Sequence, residues 1–266
     1  MDSLILREYT PGDVPEMQRV WQEAFGDPLP LIRLFYDRLP AMGTAVTAVV
    51  NGKVVGIVHV ITGFTLPDGT VCGYLYAGAV EESCRGQGIG AALIRAAEDT
   101  AYARGAGVSC MLPADAGLYR WYERLLGFVP VLRREKHETA CTAALPVEKL
   151  SYEEYMRRRE TLLRGKPHVT LSGAVMEFEQ CFAEFFGGGL FACGNALCAA
   201  YADGDCAVIH ELLTPDGDAS AAAAAVGYAL GCERAEYYLP APDGEPYIAA
   251  LPGAIPADCV WNFAFD

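Results

Sequence analysis

The chain has 266 residues, 52% of them hydrophobic, and a formal net charge of −14 at pH 7. This apolar content is sufficient for a buried core, and the length allows one large domain or two ordinary ones. The negative charge argues against binding to nucleic acid or to an anionic membrane, because an acidic field repels both. The N-terminus lacks the basic start and apolar stretch of a signal peptide, so we expect a cytoplasmic protein.

The cysteines predict neither a metal site nor a disulfide framework. There are ten of them, with no Cys-x-x-Cys pair and no histidine at a zinc-finger interval. In a chain without an export signal, most are expected to be reduced and to serve as small core residues.

The first half of the chain has the pattern of an α/β (α+β) unit, in which helices pack on a mixed β-sheet. Asn51 and Gly52 separate two apolar, strand-like runs, which is the strongest short signal for a β-hairpin. Pro67–Gly69 marks a second turn, so three antiparallel strands are predicted before the next helix. In chain order we predict a strand at 4–10, helices at 15–26 and 29–40, strands at 44–50, 53–64 and 71–80, a helix ending near 104, a strand at 107–113, a helix at 118–126 and strands over 127–145.

The second half repeats this plan more weakly, and we place a domain boundary near Pro146, giving domains at 1–146 and 147–266. A helix at 174–186 is followed by strands at 189–194, 196–204 and 206–213, an alanine-rich helix and a strand at 233–240. The charge is uneven: residues 1–150 carry 14 Lys+Arg and 17 Asp+Glu, whereas residues 151–266 carry 6 and 17. Such a field would concentrate cationic small molecules, or it serves solubility.

A glycine cluster lies between the strand at 71–80 and the next helix, in the stretch ESCRGQGIGAAL at 82–93. Glycine costs about 0.5 to 1 kcal/mol relative to alanine in an ordered element, so the cluster needs a reason. Either a tight turn requires positive φ, or the backbone N–H groups must approach an anion at a helix N-terminus. The corresponding stretch of the second half, TPDGDASA, has one glycine and added acids, which would not hold an anion.

The cluster is not a kinase-type P-loop, because no Gly-Lys-Ser/Thr follows, and it is one residue short of a Rossmann fingerprint. It resembles the GNAT superfamily of N-acetyltransferases, whose Gln/Arg-x-x-Gly-x-Gly/Ala signature is met by Arg85 to Gly90. A second family feature, an aromatic helix ending in Gly-Phe, is met by Leu118 to Phe128. The tandem plan resembles two-domain members such as the enhanced-intracellular-survival acetyltransferases, although the chain is too short for their additional C-terminal domain.

The resemblance implies acetyl-CoA as the co-substrate, bound between splayed parallel strands at 74–80 and 108–112. The pantetheine arm would pair with the backbone of β-strand residues, and a main-chain N–H there would polarise the thioester carbonyl. The pyrophosphate would bind the glycine loop. The implied cofactor-binding residues are Gly78, Ala79, Val80, Arg85, Gly86, Gln87, Gly88, Ile89, Gly90 and Ala91.

Transfer to an amine needs an acid for the leaving thiolate and a base for the ammonium. Tyr122 matches the tyrosine that serves as general acid in the family, although it lies five residues before Gly127 where the family has four. Tyr119 is the alternative general acid. The two-domain relatives use their terminal carboxylate as the base, which implies Asp266. Other candidates for the base are Glu81, Glu82, Asp115, Glu211 and His59, each of which has an ordinary structural interpretation as well.

The predicted function is N-acetyl transfer from acetyl-CoA to a primary amine of a small, cationic molecule. Two other functions stay open: an acyl-CoA sensor with little turnover, which the spacing of Tyr122 favours, and an inactive scaffold without CoA affinity. The acceptor could be a peptide N-terminus, a polyamine, an aminoglycoside or an amino acid, and the protein could be a monomer or a homodimer.

Overall fold

The structure, a computed structural model, describes residues 4–214 and 217–265. The chain divides into two compact units, one formed by residues 1–131 with 248–255 and the other by residues 132–247 with 256–266. Within the described residues, no helix has the length and apolar character that crossing a bilayer requires.

The first unit contains one mixed sheet with helices on both faces. Its elements are β1 (Leu4–Glu8), α1 (Val14–Phe25), α2 (Leu29–Met42), β2 (Gly43–Val50), β3 (Lys53–Thr65), β4 (Val71–Val80), α3 (Ile89–Ala103), β5 (Val108–Met111), α4 (Ala116–Leu126) and β6 (Val129–Pro130). The strand order is β1-β2-β3-β4-β5, followed by a two-residue strand, Ala249–Ala250, and then β6. In this order of described strands, β4 and β5 are parallel, because α3 carries the chain back between them.

Local turn chemistry explains most of these boundaries. Asn51 and Gly52 have φ values of 52° and 79°, as the two-residue turn of the β2–β3 hairpin requires, so the predicted hairpin is confirmed. Helices α1 and α4 each end at a left-handed glycine, Gly26 and Gly127. Helix α3 packs against β3 and β4, where Leu93, Ile94 and other apolar residues form the core of this unit.

The second unit contains its own sheet. Its elements are β7 (Arg133–Ala140), β8 (Val147–Leu150), α5 (Tyr152–Leu162), β9 (Thr170–Leu171), α6 (Gly173–Phe185), β10 (Gly189–Cys193), β11 (Ala196–Asp203), β12 (Cys206–Leu213), α7 (Ala219–Ala229), β13 (Arg234–Pro240) and β14 (Glu245–Pro246). The strand order is β14-β7-β13-β12-β11-β10-β8, with β12 and β13 parallel and α7 connecting them. The plan of antiparallel strands, crossover helix and parallel strand is therefore present in both units.

The units differ from the predicted division at 1–146 and 147–266 in two places. Strand β7 lies in the second sheet, because it pairs antiparallel with β13 from Arg134 opposite Pro240 to Ala140 opposite Arg234. The segment 248–255 returns to the first unit, where Ala249 pairs with Met111 of β5. Both differences depend on long-range strand pairing, for which turn signals such as Pro146 contain no information.

Candidate active site

The parallel strands β4 and β5 separate part of the way along their length. Their pairing runs from Cys72 opposite Val108 to Leu75 opposite Met111, and β4 then continues alone to Val80. On its other side β4 stays paired with β3, where Gly56 lies opposite Val80. The pairing of β4 with β5 therefore ends at Leu75, and the part of β4 that follows contains the residues predicted to bind the pantetheine arm.

A β-bulge lies in this part of β4. The register against β3 shifts between Ile57 and His59, and Ala77 has a φ of 46°. A left-handed conformation is uncommon for alanine, and such outliers are typical of functional sites. Sequence reasoning missed Ala77, since the neighbouring Gly78 is the residue that would be expected to adopt positive φ.

The three predicted residues of β4 follow the bulge. Gly78 is exposed, Ala79 is buried and Val80 is half-buried. Of these, Val80 packs against the core beneath α3, so its side chain anchors the strand while its backbone lies at the edge. The sequence prediction of Gly78, Ala79 and Val80 thus falls on strand residues whose backbone forms the separated part of β4.

The glycine loop leads directly into α3. Gly86 and Gly88 have φ values of 76° and 80°, and nothing lies within 4 Å of the point where a Cβ atom of either would be. Gly88 is the N-cap of α3 and provides no side chain, while the first hydrogen bond of the helix runs from Ala92 N–H to Gly88 O. The N–H groups of Ile89, Gly90 and Ala91 are therefore the donors that a helix N-terminus leaves for an outside acceptor.

The loop is held in place from both ends. Arg85 donates from Nε to the carbonyl oxygen of Val80 at 2.9 Å, which links the start of the loop to the end of β4. Ile89 is buried and packs in the core, and Cys84 is half-buried against the same core. Gln87 is exposed at the tip of the loop. This arrangement keeps the donors of the loop near the end of β4.

Tyr122 lies in the middle of α4, half-buried beside Trp121, whose ring centroid is 4.7 Å from its own. Burial raises the pKa of Tyr122 to about 12. The phenol is therefore protonated at any ordinary assay pH and is available as a hydrogen-bond donor. Tyr119, the alternative, is also half-buried and packs against the same core.

Three of the candidate bases have structural partners. Glu81 accepts from Lys53 at 2.8 Å and lies 3.3 Å from Arg19, and these contacts hold its pKa below the ordinary value. Asp115 caps α4 by accepting from the N–H groups of Gly117 and Leu118, at 2.6 and 2.9 Å. Neither arrangement favours proton abstraction from an ammonium group.

Glu211, in the second unit, belongs to a buried ion pair with Arg159, at 3.1 Å, and accepts from the hydroxyl of Tyr155 at 2.9 Å. Both charged side chains are 1% exposed. Buried pairs of this kind are structural, because removing either partner leaves an uncompensated charge in the core.

The other candidates differ in their surroundings. Glu82 is exposed, and its backbone N–H donates to Glu23 at 2.9 Å. His59 is completely buried, and burial lowers its pKa to about 3, so it is neutral and inaccessible to an acceptor. Asp266 lies outside the described residues, and its assignment as the base stays a prediction.

The described residues of the second unit contain no glycine N-cap like that of α3 at the start of the crossover helix. Helix α7 begins after Asp218, whose side chain accepts from the N–H of Ala221 at 3.1 Å. A carboxylate thus occupies the N-terminus of α7, whereas the N-terminus of α3 carries a glycine. An anion would be repelled at α7 and attracted at α3.

A sequence model of the Acetyltransferase (GNAT) family matches residues 6–128, which include the separated strands, the glycine loop and α4. Residues 6–128 form a GNAT acetyltransferase domain. No curated protein matches the chain.

Solved structures resemble the chain along most of its length. The GCN5-related N-acetyltransferase from Kribbella flavida has a TM-score of 0.68 and 17% identity over 91% of this chain and 65% of that one. Another, from Anabaena variabilis ATCC 29413, has a TM-score of 0.67 and 11% identity over 93% and 70%. Eis1 from Mycobacterium abscessus has a TM-score of 0.61 and 15% identity over 92% and 73%.

These TM-scores show a shared fold, and the coverage of 91–93% of this chain extends the likeness over both units. The predicted fold class, a mixed α/β GNAT fold in tandem, is confirmed. The chain spans 65% of the length of the Kribbella protein.

GNAT acetyltransferases use acetyl-CoA as the acyl donor. The residues of this domain suit the pyrophosphate and the pantetheine arm of acetyl-CoA. The positions of the Cβ atoms that Gly86 and Gly88 lack are open, so a phosphate can approach the backbone closely. The N-terminus of α3 provides N–H donors and a positive dipole end. The part of β4 from Ala77 to Val80, which lies beyond its pairing with β5, provides backbone groups for an extended chain such as pantetheine.

Proposed function

We propose that the protein is an acetyl-CoA-dependent N-acetyltransferase that acts on a primary amine of a small, cationic acceptor. The observation that carries the proposal is the combination of two backbone sites in one domain. The pairing of β4 with β5 ends at Leu75, before the strand reaches Gly78, and the glycine N-cap of α3 follows β4 after a short loop. Gly78, Ala79, Val80 and the loop from Arg85 to Ala91 would hold the donor.

In this proposal Tyr122 acts on the leaving thiolate. A thiol has a pKa of about 8.5, well below the value of about 12 for Tyr122. Full proton transfer from the phenol to the sulfur is therefore uphill, and the phenol acts chiefly by donating a hydrogen bond as negative charge develops there. Asp266 is the proposed base for the acceptor ammonium.

The proposed charge of the acceptor depends on the distribution of acidic residues. Residues 151–266 carry 17 Asp+Glu against 6 Lys+Arg, within a chain whose net charge is −14. A polyamine or an aminoglycoside would be attracted by this field, and a neutral amine would not. The attraction is screened beyond about 8 Å at physiological ionic strength, so it must weaken with added salt.

A second candidate function, an acyl-CoA sensor with little turnover, is favoured by two observations. The high pKa of Tyr122 makes it a weak acid, and Glu81 and Asp115 are engaged in structural contacts. This alternative predicts acetyl-CoA binding without release of CoA thiol.

Two measurements test the proposal. Isothermal titration with acetyl-CoA should give binding at one site per chain, and the absence of binding would refute both functions. A free-thiol assay over a panel of amines should then show faster turnover with polyamines or aminoglycosides than with neutral amines of similar size, and a KM for the cationic amines that rises with salt. Binding without turnover on any amine would favour the sensor, and a KM independent of salt would refute the cationic acceptor.

A further inference from the structure

His59 connects a buried polar chain to the β-bulge of β4. It lies on β3, is 0% exposed and is the cross-strand partner of Tyr76. Its ring is surrounded by aromatic rings of α1, α2 and β4, including those of Trp21 and Phe35 at centroid distances of 5.0 and 4.9 Å. The histidine is therefore on the α1–α2 face of the sheet, sealed from solvent.

Both ring nitrogens of His59 have partners. Nδ1 lies 3.2 Å from the carbonyl oxygen of Tyr76, and Nε2 lies 3.0 Å from the hydroxyl oxygen of Tyr36. A carbonyl oxygen can only accept, so Nδ1 must carry the hydrogen. The ring is neutral because burial lowers its pKa to about 3, so Nε2 must accept from Tyr36. The direction of donation is thus fixed, from the Tyr36 hydroxyl to His59 and from His59 to the carbonyl of Tyr76.

The carbonyl of Tyr76 belongs to the peptide unit that enters the bulge. The next residue is Ala77, with a φ of 46°. A trans peptide unit is planar, and its C=O and N–H point in opposite directions. The His59 imidazole holds the C=O of Tyr76 in one direction. It therefore also fixes the direction of the Ala77 N–H and of the backbone that leads to Gly78.

We propose that His59 is a positioning residue for acyl transfer: by donating to the carbonyl of Tyr76 it fixes the peptide plane at the bulge, and thereby aligns the main-chain donors of β4 toward the thioester. The inference rests on the proposed function. Removing one well-placed oxyanion donor lowers kcat by about 10²- to 10³-fold in other enzymes. A donor that is present but misaligned should lower kcat by a smaller factor. His59 acts through the backbone and touches neither donor nor acceptor.

The variants separate the hydrogen bond from the packing. His59→Leu removes the donor and should lower kcat at least about tenfold, while the Kd for acetyl-CoA stays within about threefold because the glycine loop is intact. His59→Asn keeps an N–H near the position of Nδ1 and should restore kcat to within about threefold of wild type. Tyr36→Phe removes only the hydroxyl that selects the tautomer, and should lower kcat about two- to fivefold.

Phe35→Leu is the matched control. Phe35 is buried against the His59 ring but is not part of the hydrogen-bonded chain. This variant should lower Tm by several degrees and leave kcat within about twofold of wild type. If His59 had only a structural role, the loss of kcat in each of the four variants would be proportional to its loss of Tm, and the inference would be wrong.

A spectroscopic measurement on the free protein provides a readout other than activity. Long-range ¹H–¹⁵N correlation spectra should show His59 neutral with the hydrogen on Nδ1, and the Ala77 amide resonance should shift in His59→Leu but return toward wild type in His59→Asn. The opposite tautomer, an unshifted Ala77 amide, or His59→Leu with wild-type kcat would overturn the inference. If wild type binds no acetyl-CoA, the proposed function fails, whereas the tautomer and the Ala77 shift still decide the geometric claim. If His59→Leu does not fold, the tautomer and Tyr36→Phe decide it.

Discussion

Replacing Gly88 by alanine tests the cofactor loop most directly. Gly88 has a φ of 80°, and nothing lies within 4 Å of the position of the added Cβ. The cost of the substitution therefore comes from the backbone conformation and not from a clash with the protein. A left-handed conformation costs a residue with a Cβ about 1–2 kcal/mol.

The conformational cost of the added Cβ must appear either as a loss of stability or as a loss of affinity for acetyl-CoA. If the loop keeps its conformation, the free energy of unfolding falls by about 1–2 kcal/mol. If the loop relaxes out of the left-handed region, stability is retained and the bound conformation must be recovered on binding, which raises the Kd for acetyl-CoA about 5- to 30-fold. Gly88→Val adds a β-branched side chain, for which positive φ is more costly still, and we expect it to abolish binding while leaving the fold largely intact.

Gly105 provides the matched control, because it follows the other end of α3. Its φ is 92°, and it too has nothing within 4 Å of the missing Cβ. Gly105→Ala should therefore lower stability by a similar amount with no change in the Kd for acetyl-CoA. The assays are chemical denaturation and isothermal titration. Wild-type stability together with wild-type affinity in Gly88→Ala would refute the conformational argument, and wild-type affinity in Gly88→Val would refute the cofactor site.

Two further predictions concern side chains of the same domain. Tyr122→Phe should lower kcat about a hundredfold with little change in the Kd for acetyl-CoA, measured by the free-thiol assay and titration, and a loss below about threefold would indicate Tyr119 or water instead. Because the pKa of buried His59 is about 3 and that of an unfolded histidine is about 6.5, the unfolded state binds more protons between these values, so stability should fall as pH decreases from about 6.5 toward 3. Denaturation at several pH values should give a shallower slope for His59→Asn, and an equal slope would contradict the buried neutral ring.

The features that the sequence predicted well are those with local causes. The Asn51–Gly52 turn needs only two residues able to adopt positive φ, and the two strands that it connects follow from apolar periodicity. The open N-terminus of α3 likewise depends on Gly88 and its neighbours. Local conformational preferences are properties of a few consecutive residues, so a single sequence contains the information for them.

The features that the sequence did not predict depend on residues far apart in the chain. Strand β7 belongs to the second sheet because β13, about a hundred residues later, pairs with it. The sequence makes Glu81 a candidate base, but in the folded chain Lys53 and Arg19 form ion pairs with it. The bulge at Ala77 had no local signal, since an alanine at positive φ persists only when the surrounding structure imposes it.

The N-caps of the two crossover helices, both of which lie among the described residues, explain why the proposed acyl-donor site is assigned to the first unit. Helices α3 and α7 each connect the parallel strand pair of their own sheet, so their N-termini occupy equivalent places in the two topologies. At α3 the N-cap is Gly88, which leaves the N–H donors and the positive dipole end to a ligand. At α7 the N-cap is Asp218, whose carboxylate already accepts a backbone hydrogen bond and would repel a pyrophosphate. The N-cap residue thus stabilises the helix in the second unit, whereas in the first unit it leaves exposed the backbone donors that the proposed cofactor site requires.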